Sequence, residues 1–414
     1  TSGLFCDASS NTCQKMKKLV MCDNVDGSVT NGDNCTCGTN ECDSTSGLFC
    51  TASLNKCSTT EQCASADGLL VNNNTCTCGT SECDSTSGLF CFSSSNHCDK
   101  VPLVGDDWCN NMKPKIGKYT LLRETMCNLT MSINISAGTL LELSSESGVG
   151  ELAIISGGLS TNLFRVSGEL KLIDLILENG KSEKGGALYV KGSPNVVVRV
   201  NLLRSIIREC EATQGAGAVY LKDGAELVLD NSTLELNKAL WAGAAFAKNG
   251  SKIIVEPGTT SFVKNNQATG ENENGGGFYL HGLVTSLVVA GSGTKLVVHG
   301  NTAALFGGGG FNHAGASLTV SAGAELELMN NQAVIGGALA LVDARFDVTG
   351  NGTEVVIDRN TATEYGGGVV GEIYQQKGST VAVTSGAVLK LTNNAAKNGA
   401  GFYFKSSILS VSGS

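Results

Sequence analysis

The sequence predicts an all-β protein: a parallel β-helix of about ten coils, preceded by tandem small cysteine-rich modules. Three observations carry this prediction. A glycine-rich pattern repeats from about Gly185 to Phe404, a second landmark lies between its copies at fixed spacing, and most cysteines lie before residue 128. Repeat periods near 30 residues are typical of solenoids, propellers and arrays.

The first landmark is a Gly/Ala pair followed by apolar residues, and it occurs eight times. Successive starts lie 31, 26, 33, 33, 28, 30 and 33 residues apart. The glycines favour corners where φ is positive or where stacked backbones leave no room for a Cβ atom. We expect one apolar residue of each copy to join a single stack inside the coils. These residues are Leu188, Val219, Ala245, Phe278, Phe311, Leu339, Val369 and Phe402.

The second landmark is an asparagine eight residues after a glycine, with an alanine two residues further on. It recurs at Asn266, Asn301, Asn331, Asn360 and Asn394. The segments before these asparagines are short, aliphatic and free of proline, which is typical of strands. Each repeat therefore holds three strands, stacked about 4.8 Å from their equivalents in neighbouring coils. We expect the asparagine at a corner, because asparagine tolerates left-handed backbone and its amide can bond the next coil.

Two other interpretations of the repeats were weighed. A flexible glycine-rich linker is disfavoured because linkers do not place aliphatic residues at fixed offsets. A β-propeller is the alternative fold, but its blades need about 40 residues and four strands.

The paired elements also resemble a known family. The Gly-Gly-apolar element combined with Phe/Leu-x-x-Asn, clearest from Phe262 to Asn265, is similar to the repeats of polymorphic outer membrane proteins and related pectate-lyase-like right-handed β-helices. The resemblance covers roughly Ile133 to the C-terminus and implies right-handed winding. It is specific for fold and not for function, since that superfamily includes lyases, hydrolases, adhesins and structural spikes.

The cysteines form a second repeat, with six positions recurring 41 residues further on. Modules of about 40 residues with few hydrophobic residues need disulfides because they cannot build a core. Zinc is disfavoured, since Cys-x-Cys has no second close pair or histidine to complete a tetrahedral site. The expected disulfide cysteines are Cys6, Cys13, Cys22, Cys35, Cys37, Cys42, Cys50, Cys57, Cys63, Cys76, Cys78, Cys83, Cys91, Cys98, Cys109 and Cys127.

Parity suggests how they pair. If every cysteine pairs within its own unit, the expected bonds are Cys6–Cys13, Cys50–Cys57, Cys91–Cys98 and, in the connecting segment, Cys109–Cys127. Cys35 and Cys37 then reach separately to Cys22 and Cys42, in an order that stays open. Cys210 is left as a buried free thiol, and a reactive role is disfavoured because no His or Lys adjoins it.

These patterns predict an order of segments. Residues 1–20 are the tail of a truncated module, 21–58 and 59–100 are cysteine-rich modules, 101–136 form a junction and N-terminal cap, and 137–414 form the solenoid. A cap is expected because solenoid ends expose unpaired strand edges. The last residues lie inside a coil without a cap, so we expect missing residues or another subunit to cover that edge.

Composition bears on compartment and partners. The net charge of −9 argues against nucleic acid, and no apolar run reaches the length of a membrane span. Disulfides are typical of secreted or cell-surface proteins, and we expect covalent N-glycans but no cofactor or metal. The candidate glycosylation sites are Asn34, Asn73, Asn128, Asn134, Asn231, Asn249 and Asn351.

Catalytic motifs of the resembling enzymes are incomplete. The polygalacturonase type needs Asn-Thr-Asp, where this chain has Ala303 and Ala362 in place of the aspartate. Its Asp-Asp pair falls in the cap segment, and Arg-x-Lys is absent from the sequence. Calcium-dependent lyases need clustered carboxylates. The remaining candidates lie in different repeats, and we expect the histidines among them at the surface or in turns: Asp230, Asp347, Asp358, His97, His281, His299 and His313.

Three functions are therefore consistent with the sequence. An extracellular structural protein that self-associates into a filament or surface coat ranks first, without enzymatic activity. An adhesin or carbohydrate-binding surface protein ranks second, with Trp241, Tyr365 and Tyr374 as candidate binding aromatics. A polysaccharide lyase or hydrolase ranks third.

Overall fold

The computed structural model describes residues 4–7, 12–15, 20–66, 70–92, 97–99, 103–104, 117–194, 196–271, 274–371 and 378–413. The chain divides into two compact units, Thr1–Val104 and Gly105–Ser414, which we describe separately.

Short antiparallel hairpins build the first unit. The pairs are Leu4–Asp7 with Thr12–Lys15, Cys35–Cys37 with Asn40–Cys42, Phe49–Thr51 with Lys56–Ser58, Cys76–Cys78 with Ser81–Cys83, and Phe90–Phe92 with His97–Asp99. A 3-10 helix at Ala52–Leu54 and a strand at Leu103–Val104 complete its elements. Cysteines form the buried cluster of each module, so covalent bonds take the place of an aliphatic core.

None of the six described disulfides joins the two strands of one hairpin: four join two hairpins, and two join the preceding segment to the first hairpin of a module. The bonds are Cys22–Cys35, Cys37–Cys50 and Cys42–Cys57 in one module, and Cys63–Cys76, Cys78–Cys91 and Cys83–Cys98 in the next. The expected bonds Cys50–Cys57 and Cys91–Cys98 are wrong. So is the expectation that Cys42 pairs with Cys35 or Cys37.

The physical reason lies in the hairpin register. Cys50 and Cys57 are directly opposite each other on paired strands, as are Cys35 and Cys42. Main-chain hydrogen bonds already hold each hairpin together, whereas two separate hairpins have no such ladder between them. The bonds Cys37–Cys50 and Cys42–Cys57 supply that link, with Cα atoms 5.4 Å apart in both.

Two expected pairs fall partly outside the described residues. Cys6 faces Cys13 in the main-chain register of the first hairpin, but the side chains of both lie outside the described part. Cys109 also lies outside it, while Cys127 is disulfide-bonded.

The second unit is a right-handed β-helix, as the sequence predicted. Four parallel sheets run along it, which we call sheets A to D in the order in which the chain visits them. In this unit sheet A comprises Gly117–Leu121, Leu140–Ser145, Glu169–Ile173, Arg199–Leu203, Glu226–Asp230, Lys252–Val255, Ser286–Ala290, Ser317–Ser321, Arg345–Thr349, Thr380–Thr384 and Ile408–Ser412.

Sheet B follows each strand of sheet A. It comprises Met126–Asn128, Ala153–Ser156, Leu175–Glu178, Ile206–Arg208, Thr233–Glu235, Thr260–Lys264, Lys295–His299, Glu325–Met329, Glu354–Asp358 and Val388–Thr392. Leu326 lies opposite Val355 there, on adjacent rungs of one sheet.

Sheet C is short and sheet D completes the coil. Sheet C comprises Lys181–Ser182, Glu211–Ala212, Lys238–Ala239, Gln267–Ala268, Thr302–Ala303, Gln332–Ile335 and Thr361–Tyr365. Sheet D comprises Ile133–Ile135, Phe164–Val166, Leu188–Lys191, Val219–Lys222, Ala245–Lys248, Phe278–His281, Gly310–His313, Leu339–Val342, Val369–Gly371 and Phe402–Phe404. The sequence predicted three strands per repeat, and the structure adds the short fourth.

The first stacked strands lie earlier than expected. The segment 101–136 was predicted to be a junction and cap. From Gly117 onward it forms the first turn, because Lys118 pairs with Glu142, Met126 with Ile154 and Ile133 with Phe164 in the sheets above.

In the coils before Val388, alternate side chains of sheets A, B and D point inward, and most of them are fully buried. The expected inner stack on sheet D is wrong at one position. Phe278 lies opposite Gly310, whereas Phe311 lies opposite Tyr279 on the outward face of the strand. The four consecutive glycines at 307–310 conceal this shift of one residue, and a one-residue shift places a side chain on the other face of a strand.

A ladder of buried asparagines follows sheet B. The Nδ2 atom of Asn266 donates to Oδ1 of Asn301 at 2.9 Å, and the main-chain N of Asn266 donates to the same oxygen. Asn301 repeats this arrangement with Asn331. The left-handed conformation expected of these asparagines belongs instead to the residue before them, as at Asn265 and Gly300. The buried amide is thus free to bond coils on both sides.

Candidate functional site

The outward face of sheet D carries a row of aromatic side chains, one per coil. This aromatic row consists of Tyr189, Tyr220, Phe246, Tyr279 and Phe311. Adjacent rings pack closely, with centroids 4.6 Å apart for Phe246 and Tyr279 and 4.9 Å apart for Tyr279 and Phe311. The row is largely covered, since Ala216, Ala242, Phe306 and Ile335 join it in one buried cluster.

Two aromatics expected to line a binding face belong to this cluster. Trp241 packs edge-on against Phe246, with centroids 5.7 Å apart, and Tyr365 packs on Tyr403 at 4.6 Å. Both side chains are half-buried. Tyr374, the third candidate, lies outside the described residues. Trp241 and Tyr365 therefore pack between the coils.

Beside the aromatic row runs a column of basic residues, two positions further along each strand. This basic column consists of Lys191, Lys222, Lys248, His281 and His313. Lys191 lies opposite Lys222, Lys248 opposite His281, and His281 opposite His313. The pairing of Leu221 with Ala247 makes Lys222 and Lys248 neighbours in the same way.

The basic column is accessible to solvent. Lys191 is exposed and the other four side chains are partly exposed. The Nζ atom of Lys222 lies 5.9 Å from the centre of the Tyr189 ring, and that of Lys248 lies 6.0 Å from the centre of the Tyr220 ring. These cation–π contacts orient the ammonium groups without neutralising them.

Hydrogen bonds and an ion pair join the column to neighbouring side chains. The hydrogen bond with Tyr189 raises the pKa of Lys222, so this ammonium is protonated at neutral pH. Asp223 lies beside it at 3.6 Å, and the carboxylate also accepts a hydrogen bond from Nδ2 of Asn249 at 3.0 Å. At the other end, the Nδ1 atom of His313 lies 3.4 Å from the hydroxyl of Tyr279.

Two columns on sheets A and B alternate in charge. On sheet A, Glu169, Arg199, Glu226 and Lys252 are stacked in that order, and Arg199 Nε donates to Glu226 Oε2 at 2.9 Å. On sheet B the stacked order is Glu178, Arg208, Glu235 and Lys264, with ion pairs of 2.7 and 2.9 Å. Direct stacking of like charges is destabilising. It occurs once on sheet B, where Glu325 lies opposite Glu354, whereas the basic column places basic residues on five successive rungs.

Cys210 takes the first position of the asparagine ladder. Its main-chain N donates to Oδ1 of Asn237 at 3.1 Å, and its Sγ accepts a hydrogen bond from the N of Gly180 at 3.3 Å. The thiol is free and fully buried, and this burial raises its pKa to about 12. A neutral, inaccessible thiol is a poor nucleophile, so Cys210 has a packing role here.

The candidate glycosylation asparagines are all exposed. They lie at Asn34, Asn73, Asn128, Asn134, Asn231, Asn249 and Asn351. An accessible side chain is a precondition for glycan transfer. The geometry is therefore compatible with modification at each of them.

The carboxylates considered for catalysis are tied to local partners. Hydrogen bonds from Thr392 Oγ1 at 2.7 Å and Asn393 Nδ2 at 2.8 Å lower the pKa of Asp358, which favours the ionised form over a general acid. Asp347 lies 3.2 Å from Arg345, and Asp230 accepts from Asn231 at 2.9 Å. Asp230 lies on one coil, whereas Asp347 and Asp358 lie on consecutive strands of sheets A and B in another coil. The expectation that all three lie in different repeats is therefore wrong for Asp347 and Asp358.

The histidines divide into two groups. His281 and His313 stack in the basic column, with ring centroids 5.2 Å apart. His299 lies on sheet B, where its Nε2 atom is 3.0 Å from Asn330 Nδ2. The side chain of His97 lies outside the described part of the chain.

A groove of about 490 Å³ runs over sheet C. Small and polar residues line it, among them Gln267, Thr302 and Gln332, and none of its lining residues is ionisable. Ala303 occupies the position where the polygalacturonase type carries an aspartate, and it stacks between Ala268 and Ala333. A second groove of about 420 Å³ contains Glu169 as its one ionisable lining residue. Neither groove gathers an acid and a base.

The comparisons with known proteins agree with this architecture. Residues 164–362 match the family model described as a right handed beta helix region. No curated protein matches the chain. The class defined by the fold is thus a protein with a right-handed β-helix and a disulfide-rich N-terminal region. Within the described residues, no helix is long and apolar enough to cross a membrane.

The basic column has a signal in the sequence that the predictions above do not include. The strands of sheet D end in a basic residue in five successive coils, three positions after the inner-stack residue. That recurrence is visible in the sequence once the strand register is known. The meaning of the column depends on the alternating charges of the other sheets, which only the three-dimensional pairing reveals.

Proposed function

We propose that this chain is an extracellular structural protein without enzymatic activity, the protomer of a filament or coat at a cell surface. The observation that carries the proposal is the continuous stacking of the solenoid, in which main-chain pairing and buried side-chain ladders join each coil to the next. Such stacking favours a stiff shaft. The grooves described above offer no acid–base pair, which supports a structural role.

Assembly is proposed to use the solenoid ends and the cysteine-rich modules. The strand Ile408–Ser412 on sheet A pairs with Thr380–Thr384. Its Ile408 and Val411 side chains are apolar and are 62% and 72% exposed. Exposed apolar side chains that lie together are typical of surfaces that another protein covers. A second copy of the chain is the proposed partner.

Electron microscopy and sedimentation of the purified chain test this proposal. We expect end-to-end fibres or concentration-dependent association that is lost in the variant I408K/V411K. A matched control is L283K/V284K, which places the same charges on exposed apolar residues of the solenoid flank, 75% and 79% accessible. Isolated rods at every concentration, or equal loss of association in both variants, would contradict the proposal.

The absence of catalysis is a separate part of the proposal and has its own test. Acidic polysaccharides are incubated with the protein, and the release of unsaturated or reducing ends is followed. We expect none. Turnover that disappears when one carboxylate, such as Asp358, is replaced by Asn would establish an enzyme instead.

We also propose that the protein is secreted and glycosylated. Six disulfides within the described modules and seven exposed acceptor asparagines support this. We assign the repeats to the pectate-lyase-like or polymorphic outer membrane protein type, and the modules to a size class similar to epidermal growth factor domains. Mass spectrometry of peptides from the native material, before and after glycosidase treatment, tests the glycans at each site.

The second candidate is an adhesin or carbohydrate-binding surface protein. The basic column on sheet D favours it, because a surface of like charges suits a charged ligand better than packing within the fold.

A further inference from the structure

We propose that the basic column on sheet D is a binding site for a linear polysaccharide that carries sulfate or carboxylate groups. The inference does not depend on end-to-end assembly. It rests on the stacking of Lys191, Lys222, Lys248, His281 and His313 along one sheet.

The charge of the column favours an anionic ligand. The chain has a net charge of −9, and the stacked columns that contain Arg199 and Arg208 pair opposite charges. In the basic column, three lysines stand on three consecutive rungs about 4.8 Å apart. Stacked like charges weaken the sheet unless anions compensate them, and Asp223, 3.6 Å from Lys222, compensates only part of this charge. A bound polyanion supplies that compensation along the whole column.

The shape of the basic column suits an extended ligand. The column runs along the solenoid axis, so its five rungs span about 19 Å at the strand spacing of parallel coils. The spacing of successive cations is close to the length of one pyranose residue in an extended polysaccharide. A linear chain with an anion on each residue, or on alternate residues, thus matches the column without bending. A compact anion would engage one or two rungs only.

Two ammonium groups of the basic column are held in place before any ligand binds. The rings of Tyr189 and Tyr220 lie beneath the ammonium groups of Lys222 and Lys248, and the buried cluster holds the rings in place. Fixed cations lose less conformational entropy on binding than free lysine side chains. The column is therefore built on a rigid support rather than on loops.

The test uses the full chain and a matched pair of variants. The column variant is K191Q/K222Q/K248Q. The control variant is K171Q/K252Q/K264Q, which removes the same number of charges from columns where lysine faces glutamate. Binding to immobilised heparin, desulfated heparin, polygalacturonate, neutral dextran and single-stranded DNA is measured at rising salt concentration.

We expect the wild-type chain and the control variant to bind an anionic polysaccharide with similar affinity, and the column variant to bind at least about tenfold more weakly. The slope of log affinity against log salt falls by about one for each lysine contact removed. Preference for heparin over its desulfated form identifies sulfate as the recognised group. Equal binding of desulfated heparin and polygalacturonate identifies carboxylate.

Several outcomes overturn the proposal. These are no binding by the wild-type chain, equal loss in both variants, or binding of single-stranded DNA in preference to every polysaccharide. Thermal denaturation without ligand gives an independent readout. Relief of repulsion should raise the midpoint of the column variant, while loss of ion pairs should lower that of the control. A midpoint for the column variant below that of the control also contradicts the argument.

Discussion

The ring of Phe278 lies over Gly310 of the next coil, in the space that a side chain at position 310 would fill. A Cβ atom on Gly310 would lie 2.3 Å from both Cε2 and Cζ of that ring. Real Cβ atoms do not approach aromatic carbons so closely. The large residue in one coil therefore depends on the absence of a side chain in the next.

This relationship predicts that G310A destabilises the solenoid by about 1–3 kcal/mol, the usual effect of overpacking a core. The change is measured by urea denaturation. Combining G310A with F278L should recover part of the loss, since the smaller side chain vacates the space. G401A is the control, because a Cβ there meets nothing closer than 3.6 Å. Additive effects of G310A and F278L would refute the contact.

Substitution of Asn312 should stabilise the solenoid, in contrast to G310A. Asn312 is fully buried, and neither of its side-chain polar atoms has a hydrogen-bond partner among the described residues. Its neighbours on adjacent coils are Leu280 and Leu341. An unsatisfied buried amide costs about 1–3 kcal/mol. We expect N312L to raise the free energy of unfolding by a similar amount.

The matched control for N312L is N331L. Asn331 is equally buried, but its Nδ2 atom donates to Val298 O at 2.9 Å and to Asn360 Oδ1 at 3.0 Å. Removing this amide breaks the ladder on both sides, so N331L should destabilise the protein by about 2–4 kcal/mol. If both variants move stability in the same direction, hydrogen bonding is not what distinguishes the two sites.

Because of Cys210, we expect the free energy of unfolding to depend on pH in alkaline solution. Its pKa is about 12 in the folded chain, against an ordinary thiol value of 9.0, because burial disfavours the thiolate. Above pH 9 the unfolded thiol loses its proton while the folded thiol keeps it. The free energy of unfolding is therefore unaffected below pH 9. From there it falls as pH rises towards 12, by about 1.4 kcal/mol per pH unit at most.

The measurement is the difference between the wild-type chain and C210S across that pH range. Subtracting the two removes the titration of lysines and tyrosines, which both chains share. We expect the wild-type chain to lose its advantage over C210S as pH rises above 9. A difference independent of pH would mean that the thiol is accessible to solvent. Labelling of the native protein by a thiol reagent at neutral pH would lead to the same conclusion.

The disulfide pattern is tested by peptide mapping without reduction. Digestion should release peptides linked through Cys37–Cys50 and Cys42–Cys57, and equivalent pairs from the second module. Recovery of a Cys50–Cys57 linkage would contradict the structure. Replacing Cys37 and Cys50 together by Ser should lower module stability by about 2–4 kcal/mol, because the cross-link restricts the unfolded chain.

The repeats of the sequence predicted the winding of this protein well. Spacing of about 30 residues between Gly-Gly-apolar copies, and asparagines at fixed offsets, indicated stacked coils and amide bonds between coils at Asn266 and Asn301. These predictions succeeded because coil stacking places equivalent residues together, so that periodicity along the chain becomes proximity in space. The fold class needed no long-range information beyond that period.

The misassigned features are those that periodicity leaves undetermined. The glycines at 307–310 fit two strand registers on sheet D, one with Gly310 inside and one with Phe311 inside. Only the packing of the Phe278 ring selects the register with Gly310 inside. Cys50 and Cys57 are close enough in sequence to bond each other. Instead, Cys50 bonds Cys37 and Cys57 bonds Cys42, both in the preceding hairpin.

The sequence by itself thus determined the coil, its corners and the disulfide-rich character of the N-terminal modules, since each of these depends on residues at regular intervals. Only the tertiary structure decided which cysteines bond, which phenylalanine is inside, and which charges lie on neighbouring rungs. Those features depend on contacts between residues some 13 to 37 positions apart, such as Cys37 with Cys50 and Asn394 with Ile357, whose choice among competing partners is made by packing. The basic column is of this kind, because its like charges became neighbours only when the coils stacked.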